Sequence, residues 1–502
     1  MKERMNKVSK KMTKKNIRKR TYNVFLSILG LVSLCVVVVA AVLTFQNGGN
    51  NDESYQNGTA MENGDSVASG GLGGTGSFVT PAPYEPAPTP TPEPTPPPTA
   101  RLAFVGDIMG HAEQLTAARV SEGVYDFNYV FRYVAPYLQA ADFTLGNLET
   151  TLVHSNFRGW PLFRSPRALA EALVNAGFDM VTTGNNHSFD AFVPGVRSTI
   201  EILNDVGLPF TGTFLTPECR DEITVVEVNG FTFAIVNMTM HKNAIDLGAY
   251  NFMVKVIYKD LVEQATIDYA MIRDVMARAR ALNTDFIIAS PHLGIEYYGT
   301  MRRQGAGHRN DTFARNDTRW FNWVRTLELF LHEGADMVMN HHPHTLVPAE
   351  FVYMLDENGE IYRRAVVAYS LANFVSAQRT QPRETSVILY VDVSRDENGV
   401  AYIADMSYVP IWVRQHNPER APRLCFSVLP VTSTLQRVAA GSTPDLRQQD
   451  IDRMRVVHRD VTHMFSGQPI PLEYMASEYP IYRSRRIDQF PGLPLWGTLP
   501  WY

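Results

Sequence analysis

Short apolar runs alternate with amphipathic segments from residue 101 onward. Runs rich in apolar and β-branched residues predict strands at 102–105, 141–145, 178–183, 224–228, 231–237, 285–290, 337–339, 365–370 and 386–393. Apolar residues spaced by three or four positions predict helices at 165–177, 194–206, 267–282 and 444–467. The alternation of strands and helices predicts an α/β domain over 101–420, with 421–502 as a C-terminal extension packed on it.

The N-terminal pattern is different. Residues 24–45 carry no charge, and twenty-two helical residues span roughly 33 Å, enough for the core of a bilayer. The first twenty residues hold ten Lys or Arg and one Glu. This asymmetry predicts a cytoplasmic tail (1–23), a single-pass anchor in the cell membrane (24–45) and an extracellular main domain. A signal peptide cleaved near 39–41 is the alternative interpretation.

Residues 46–100 lack the apolar positions of a core. They are first rich in Gly, Asn and Ser and then rich in Pro, which predicts a disordered linker that ends in a stiff polyproline spacer. From residue 21 onward the chain has 36 basic and 50 acidic residues, which argues against nucleic acid as a partner. Of the three cysteines, Cys219 and Cys425 lie in the predicted folded region and form either one disulfide or two unpaired thiols.

Five polar clusters each follow a predicted strand. Their letters and positions are GD at 106–107, GNLE at 146–149, GNNHSFD at 184–190, PHLGIE at 291–296 and NHHPH at 340–344. Three histidines in one loop are hard to explain by packing, and imidazole is a common metal ligand. Because α/β proteins place their sites where strands end, we expect these clusters to meet at one edge of a sheet.

Together the clusters offer carboxylate, amide and imidazole donors, which are Asp107, Glu149, Asn186 (or Asn147), His292, His342 and His344. A mixed oxygen and nitrogen set suits Zn, Mn, Fe or Ni, whereas a thiolate site is excluded. We therefore expect one or two divalent cations, which would activate water for attack on a carbonyl or phosphoryl centre.

Two further positions are candidates for roles beside the metal. His187 is adjacent to Asn186 and is a candidate general acid, with Asp190 orienting its ring; the alternative is a loop hydrogen bond. Arg164 is a candidate for binding an anionic substrate, because a guanidinium pairs bidentately with carboxylate or phosphate. A surface salt bridge is the alternative for Arg164.

The ordered motifs resemble the CapA family of poly-γ-glutamate capsule biosynthesis proteins. They are GDIM, GNLETTL, FRSP, NNHSFD, PHLGIEY, HHPH and YSLANF. The resemblance implies a layered α/β sandwich of the calcineurin-like metallophosphoesterase type, with the six donors named above as metal ligands. Met109 stands where phosphoesterases have a second ligand, and GNLE leaves the bridging ligand open between Asn147 and Glu149.

Three functions fit the sequence. The first is metal-dependent hydrolysis or transfer on an anionic cell-surface polymer, for which the resemblance implies poly-γ-glutamate and, as partners, the membrane and its synthase subunits. The second is an extracellular metallophosphoesterase. The third is a component of polymer export or assembly that is not an enzyme.

Overall fold

The computed structural model describes residues 98–258, 267–297, 318–417, 425–442 and 446–487, all within one compact unit, Pro92–Tyr502. In these ranges the strands are β1 (Thr99–Ile108), β2 (Arg119–Ser121), β3 (Val124–Tyr125), β4 (Phe143–Leu148), β5 (Thr151–Leu152), β6 (Arg164–Ser165), β7 (Met180–Thr182), β8 (Phe210–Thr211), β9 (Thr224–Val228), β10 (Phe231–Thr239), β11 (Phe286–His292), β12 (Met337–Met339), β13 (Leu346–Leu355), β14 (Ile361–Leu371), β15 (Asn373–Val375), β16 (Thr385–Arg395), β17 (Ala401–His416), β18 (Cys425–Pro430), β19 (Tyr479–Pro480) and β20 (Ser484–Ile487). The α-helices are α1 (Ala112–Ala118), α2 (Asn128–Phe131), α3 (Ala135–Leu138), α4 (Arg167–Ala176), α5 (Phe192–Val206), α6 (Pro217–Asp221), α7 (Tyr269–Arg280), α8 (Thr318–His332), α9 (Val431–Ala439) and α10 (Gln448–Ser466).

Two large mixed sheets organise the described residues. The first has the order β18-β17-β16-β1-β4-β7-β8, with β15 beside β1 and β19 beside β17. The second has the order β20-β13-β14-β12-β11-β10-β9. The central pairs β1–β4, β4–β7, β10–β11, β11–β12 and β12–β14 are parallel, so their carboxyl ends point the same way within each sheet.

Alternate residues of each strand point to opposite faces of its sheet. One apolar face of each sheet therefore packs against the other sheet. Phe104 of β1 belongs to one core with Phe233 of β10 and Ile288 of β11, so this core lies between the two sheets. The outer face of the first sheet is covered by α1 to α5. The outer face of the second is covered by α7 and α8. The result is a layered helix–sheet–sheet–helix arrangement, and the predicted α/β class is confirmed.

Most predicted strands are longer in the structure, and three of the four predicted helices are slightly shorter, whereas the helix predicted at 194–206 begins two residues earlier. The predicted helix 165–177 is α4, in which Pro166 rather than Ser165 is the N-cap and Gly177 closes the helix with φ 96°. Glycine suits this left-handed position because it has no Cβ. The strand β1 extends beyond the predicted 102–105 at both ends. Strands β13 and β17 were not among the predicted elements.

The region after residue 420 contributes to both sheets. It supplies β18 and β19 to the first sheet and β20 to the second. The predicted helix 444–467 is α10, whose apolar face (Met454, Val457, Val461) joins the core between the sheets. Cys219 and Cys425 are not joined by a disulfide.

The predicted tail, anchor and most of the linker (1–97) lie outside the described residues. In the part of the chain that is described, no helix has the length and apolarity needed to cross a membrane.

Replacing Asp336 with asparagine is expected to stabilise the protein at neutral pH. Asp336 precedes β12 and accepts the Ile287 N–H at 2.9 Å, and its burial raises the pKa to about 6. A carboxyl group whose pKa is higher in the folded than in the unfolded protein lowers the free energy of unfolding as pH rises from about 4 through 6. Asparagine does not ionise, so it avoids this loss of stability. The expected gain is roughly 1–3 kcal/mol at pH 7.5 and none at pH 4, measured by chemical denaturation.

Asp285 is the matched control for this prediction. It precedes β11 in the same way, accepts the Thr232 N–H at 2.8 Å and pairs with Arg395 at 2.9 Å. Although burial opposes the shift, these contacts lower its pKa, so D285N is expected to destabilise the protein at neutral pH. Equal effects of D336N and D285N at pH 7.5 would contradict the expectation.

Candidate metal centre

The carboxyl ends of the parallel strands from both sheets meet at one rim of the sandwich. Asp107 ends β1, and Glu149 directly follows β4. From the second sheet, His292 ends β11 and the histidine loop 341–344 follows β12. Asn186 lies in the loop after β7. The expected meeting of the polar clusters at a sheet edge is found, and it involves two sheets instead of one.

A glycine permits the close approach that places Asp107. A Cβ at Gly106 would lie 2.0 Å from the Ala372 carbonyl oxygen. The Asp107 N–H donates to that same carbonyl at 2.8 Å, and Asp107 is in register with Asn373 of β15. Any larger residue at 106 would push β1 away from the segment after β14, and Asp107 with it.

The histidine loop has strained backbone on both sides of Pro343. His342 has φ 96° and His344 has φ 55°, a region that residues with a Cβ enter only at a cost of about 1–3 kcal/mol. The Leu293 N–H donates to the His341 carbonyl at 3.1 Å, and the Tyr297 N–H donates to the Pro343 carbonyl at 2.7 Å. These bonds hold the loop so that its imidazoles point at the strand ends.

Two buried donor groups share one carboxylate. Glu149 with His292 and His342 forms one group, and Glu149 with Asp107 and His344 forms the other; within each, the donor atoms lie within 4.8 Å of one another. Glu149 Oε1 lies 3.6 Å from His292 Nε2 and 3.8 Å from His344 Nε2. Asp107 Oδ2 lies 3.1 Å from His344 Nδ1. Glu149 is therefore the donor that the two groups have in common.

Glu149 is the observation that points most directly to a cation. Both of its carboxylate oxygens are buried, and neither has a hydrogen-bond partner among the described residues. Burial, reinforced by the negative charge of Asp107, raises the pKa of Glu149 well above its usual range. A buried carboxylate without a partner costs several kcal/mol unless a cation or proton neutralises it. The residues present therefore fit a divalent metal.

The protonation states of the other donors also suit metal binding. Although burial opposes it, the nearby imidazoles of His341 and His344 hold the pKa of Asp107 well below its usual range, so this carboxylate is ionised. Burial lowers the pKa of both His292 and His342 well below the usual value, so these rings are neutral. Metal ligands must be deprotonated in this way.

The amides connect the ligands to one another. Asn147 Nδ2 donates to Asp107 Oδ1 at 2.8 Å and lies 3.2 Å from His292 Nδ1, while its Oδ1 accepts from Thr182 at 3.2 Å. Asn186 Oδ1 lies 2.8 Å from His292 Nε2. Since Asn147 already uses its polar atoms and Glu149 does not, the geometry favours Glu149 over Asn147 for the bridging position.

His187 and Asp190 form a buried pair beside the donor groups. His187 Nδ1 lies 2.7 Å from Asp190 Oδ2, which also accepts the Phe163 N–H at 2.6 Å. The other ring nitrogen, Nε2, lies 3.9 Å from Glu149 Oε1 and so faces the centre. Burial raises the pKa of Asp190. Asp190 therefore fixes the orientation of the His187 ring.

Arg164 lies on β6 close enough to Asp190 to lower that residue's pKa by its charge. Its Nε is buried and has no hydrogen-bond partner within the described ranges. Arg164 also forms no ion pair with any described residue.

Several residues at the centre were not among the candidate ligands. Asn373 Oδ1 lies 2.9 Å from His344 Nδ1, and His341 Nδ1 lies 3.5 Å from Asp107 Oδ1. His241 packs edge-on against His342, with ring centroids 5.5 Å apart. Asn243 Nδ2 lies 3.4 Å from His187 Nδ1. His241 and Asn243 follow a predicted strand, as the recognised clusters do, and that position was the signal for them.

An arginine–tyrosine stack borders the other side of the centre. The guanidinium carbon of Arg383 lies 3.4 Å from the centroid of the Tyr297 ring, and that centroid is 5.8 Å from the His344 ring. Burial raises the pKa of Tyr297 to about 12, so its hydroxyl stays protonated. No sequence signal connected Arg383 to the site.

The fold and site together define an α/β protein with a buried carboxylate–imidazole–amide centre suited to divalent metal. The family model described as "Bacterial capsule synthesis protein PGA_cap" matches residues 101–378, more than half of the chain and a range that contains every candidate ligand. The chain belongs to this family, and the resemblance inferred from its motifs is confirmed.

Two curated relatives are similar to the chain. The "Capsule biosynthesis protein CapA" of Bacillus anthracis is 23% identical over 348 residues, which cover 67% of this chain and 70% of that protein. The "PGA biosynthesis protein CapA" of Bacillus subtilis (strain 168) is 25% identical over 296 residues, which cover 57% of this chain and 66% of that protein.

Among solved structures, purple acid phosphatase PPD1 from yellow lupin (Lupinus luteus) seeds matches 68% of this chain and 55% of that one, at 11% identity. The TM-score is 0.25, so the fold description above rests on the strands of this chain alone.

Proposed function

We propose that this protein is a metal-dependent hydrolase or transferase of capsule biosynthesis that acts on an anionic surface polymer, with poly-γ-glutamate as its substrate. Family membership and the names of the two relatives support the role in capsule biosynthesis. The observation that carries the catalytic part is the Glu149 carboxylate, which is buried without a partner between two sets of donors.

The metal is held in this proposal by Asp107, Glu149, Asn186, His292, His342 and His344. When bound, a divalent cation such as Mn, Zn or Fe polarises a carbonyl or phosphoryl oxygen and activates water. Two donor groups that share Glu149 support a pair of ions. The resemblance of the motifs implies that the layered sandwich, with its site at the strand ends, is of the metallophosphoesterase type.

The protein's own residues provide proton transfer and binding. His187 directs Nε2 toward the centre and donates a proton to the leaving group, while Asp190 stabilises the imidazolium through Nδ1. Arg164 binds a substrate carboxylate near the pair, because its guanidinium has donors that no described residue uses.

The proposed setting is the outer face of the cell membrane. The uncharged segment 24–45, the basic segment before it and the Pro-rich linker after it support an anchored extracellular domain. In that position the domain works on polymer as membrane synthase subunits deliver it.

The test is a substrate comparison with the purified full-length chain. After chelation and reloading with Mn or Zn, the protein is expected to shorten or transfer γ-glutamyl polymer, as seen by gel filtration, and to lose this activity again with chelator. H342A should be inactive on γ-glutamyl polymer and on a chromogenic phosphoester. H154A replaces an exposed histidine that pairs with Glu201 at 3.6 Å, and it should match the wild type.

The outcomes separate the functions. Metal-dependent cleavage of a chromogenic phosphoester with no action on the polymer would replace the proposal with an extracellular phosphoesterase. Polymer binding by a chain that takes up metal but turns over neither substrate would indicate an export or assembly component.

A further inference from the structure

A second polar cavity lies next to the metal centre. It has a volume of about 960 Å³ and is formed by the loop after β10, the extended segment 254–258 and one side of α7. Its lining includes the cations Arg220, Lys242, Lys255 and Arg278 together with the acids Asp221 and Asp274. None of these residues belongs to the candidate metal centre.

Three consecutive residues connect the cavity to the centre. His241 lines the cavity and packs against the ligand His342, with ring centroids 5.5 Å apart. Lys242 lines the cavity, and the Asn243 amide lies 3.3 Å from the Asn186 amide. One side chain, that of His241, therefore lies between the cavity and the ligand His342.

All but one of the cations named in the cavity lining form an ion pair with an aspartate. Arg278 pairs with Asp274 at 2.7 Å, and Arg220 pairs with Asp221 at 3.0 Å. Lys242 donates to Asn251 and lies 3.8 Å from Asp246. Lys255 is the exception. No described residue accepts a hydrogen bond from its ammonium group or forms an ion pair with it.

Lys255 is also buried, with only 6% of its surface exposed. Its Nζ lies 4.8 Å from the centroid of the Phe214 ring, a contact worth far less than an ion pair at a buried site. Burial, reinforced by repulsion from Arg278, lowers the pKa of Lys255 to about 8. The charges of Asp221 and Asp274 oppose this shift only in part, since neither residue forms an ion pair with Lys255. A buried ammonium without an ion pair is costly, and an anionic ligand in contact with it would reduce that cost.

We propose that this cavity is a carboxylate-binding subsite, in which Lys255 pairs with a free carboxylate of the same anionic chain that is acted on at the metal centre. The inference rests on the proposed function, since it assumes that the substrate is a polycarboxylate. The subsite would hold one residue of the polymer while a neighbouring bond lies at the metal ligands. It would thereby determine which bond of the polymer reacts.

The test is calorimetric titration of tri-γ-glutamate into the chelator-treated full-length chain. K255M is expected to bind about tenfold more weakly than the wild type, the loss typical of one partly buried charge pair. K255R keeps the charge and should stay within about threefold of the wild type. R273M is the matched control, because Arg273 lies on α7 but is exposed and pairs with Glu333 outside the cavity.

Labelling gives a second measurement that needs no variant. Acetic anhydride treatment of the wild type, read by peptide mass spectrometry, should modify Lys255 less when tri-γ-glutamate is present. The lysines of segment 1–20 serve as the internal reference. Equal affinity of K255M and wild type, or unchanged labelling of Lys255, overturns the inference. So does binding of inorganic phosphate but not tri-γ-glutamate in a Lys255-dependent way.

Both measurements are made without metal and without turnover. Failure of the subsite therefore leaves polymer cleavage by the metal-loaded protein intact. Conversely, a wild type that binds tri-γ-glutamate through Lys255 but never cleaves the polymer refutes only the proposed catalysis.

Discussion

Replacing Glu149 with glutamine is expected to abolish metal binding and, in the absence of metal, to make the protein more stable. Both Glu149 oxygens are buried without hydrogen-bond partners, and the pKa of this carboxyl is raised well above its usual range by burial and by Asp107. A neutral amide has a smaller desolvation cost than a carboxylate, so E149Q should gain roughly 1–3 kcal/mol at pH 7.5.

The sign of the pH dependence follows from the raised pKa. Wild-type stability without metal falls as pH rises above the ordinary glutamate pKa of about 4.3, because the unfolded chain releases this proton first. The advantage of E149Q should therefore be absent near pH 4 and grow toward pH 8. Chemical denaturation of the chelated protein across this range measures it.

Bound metal is expected to reverse the order of stability of the wild type and E149Q. At a hundredfold excess over its dissociation constant, a metal stabilises the native wild type by about 2.7 kcal/mol, and E149Q should gain almost none of this. The bound metal is counted by inductively coupled plasma mass spectrometry. Retention of the wild-type metal content by E149Q would exclude Glu149 as a shared ligand.

Glu350 provides the matched control for Glu149. It is equally buried but is fully engaged, since Arg485 Nε donates to it at 2.7 Å and the Tyr369 hydroxyl donates to it at 2.7 Å. E350Q removes one charge of a buried pair, so it should lose stability, by about 3–5 kcal/mol, and keep its metal. If the free energy of unfolding rises in E149Q and falls in E350Q, the Glu149 carboxylate belongs to a cation-binding site, whereas Glu350 belongs to an ordinary buried ion pair.

Replacing His187 with asparagine is expected to lower kcat about 10²- to 10⁴-fold with metal content unchanged. His187 belongs to neither donor group, and its Nε2 faces the centre from 3.9 Å. Asparagine keeps a polar side chain near Phe163 and Asn243, but its amide does not ionise near neutral pH and so cannot act as a general acid. Turnover of γ-glutamyl polymer and metal stoichiometry are measured on the same preparation.

Asp190 should behave as a positioning residue in the same assay. D190N leaves a hydrogen-bond partner for His187 Nδ1 but removes the negative charge that stabilises the imidazolium, so a smaller fall in kcat than in H187N is expected. H154A, which changes an exposed histidine, should have wild-type kcat. A parallel loss of metal in H187N would assign His187 to the ligands and not to proton transfer.

Much of the fold was predictable because its signals are local. Apolar runs fix strands and amphipathic spacing fixes helices within a few residues, and Gly177 and Gly467 end their helices in the left-handed conformation that glycine favours. The division of the strands into two sheets was not predictable. It depends on pairing such as β1 with β16, across nearly 300 residues of sequence.

The candidate site was likewise predictable only in part from the sequence. The polar clusters at strand ends were visible in the sequence, and the structure brings Asp107, Glu149, His292 and the histidine loop together; their catalytic roles stay predictions. Arg383 and Asn373 reach the centre only because distant segments fold back on it. Nothing in the local sequence of Arg383 distinguishes it from a structural residue, whereas Asn373 lies in the recognised YSLANF motif without being singled out there as a site residue.

The sequence by itself determined the α/β class, the family and the types of donor that the chain offers, because side-chain chemistry and residue periodicity are properties of short segments. Only the tertiary structure decided that Glu149, and not Asn147, keeps unpartnered oxygens between the donors. It likewise decided that Lys255 is a buried cation of the cavity that forms no ion pair with a described residue. Burial and pairing are set by segments far apart in the chain, so no local pattern contains them.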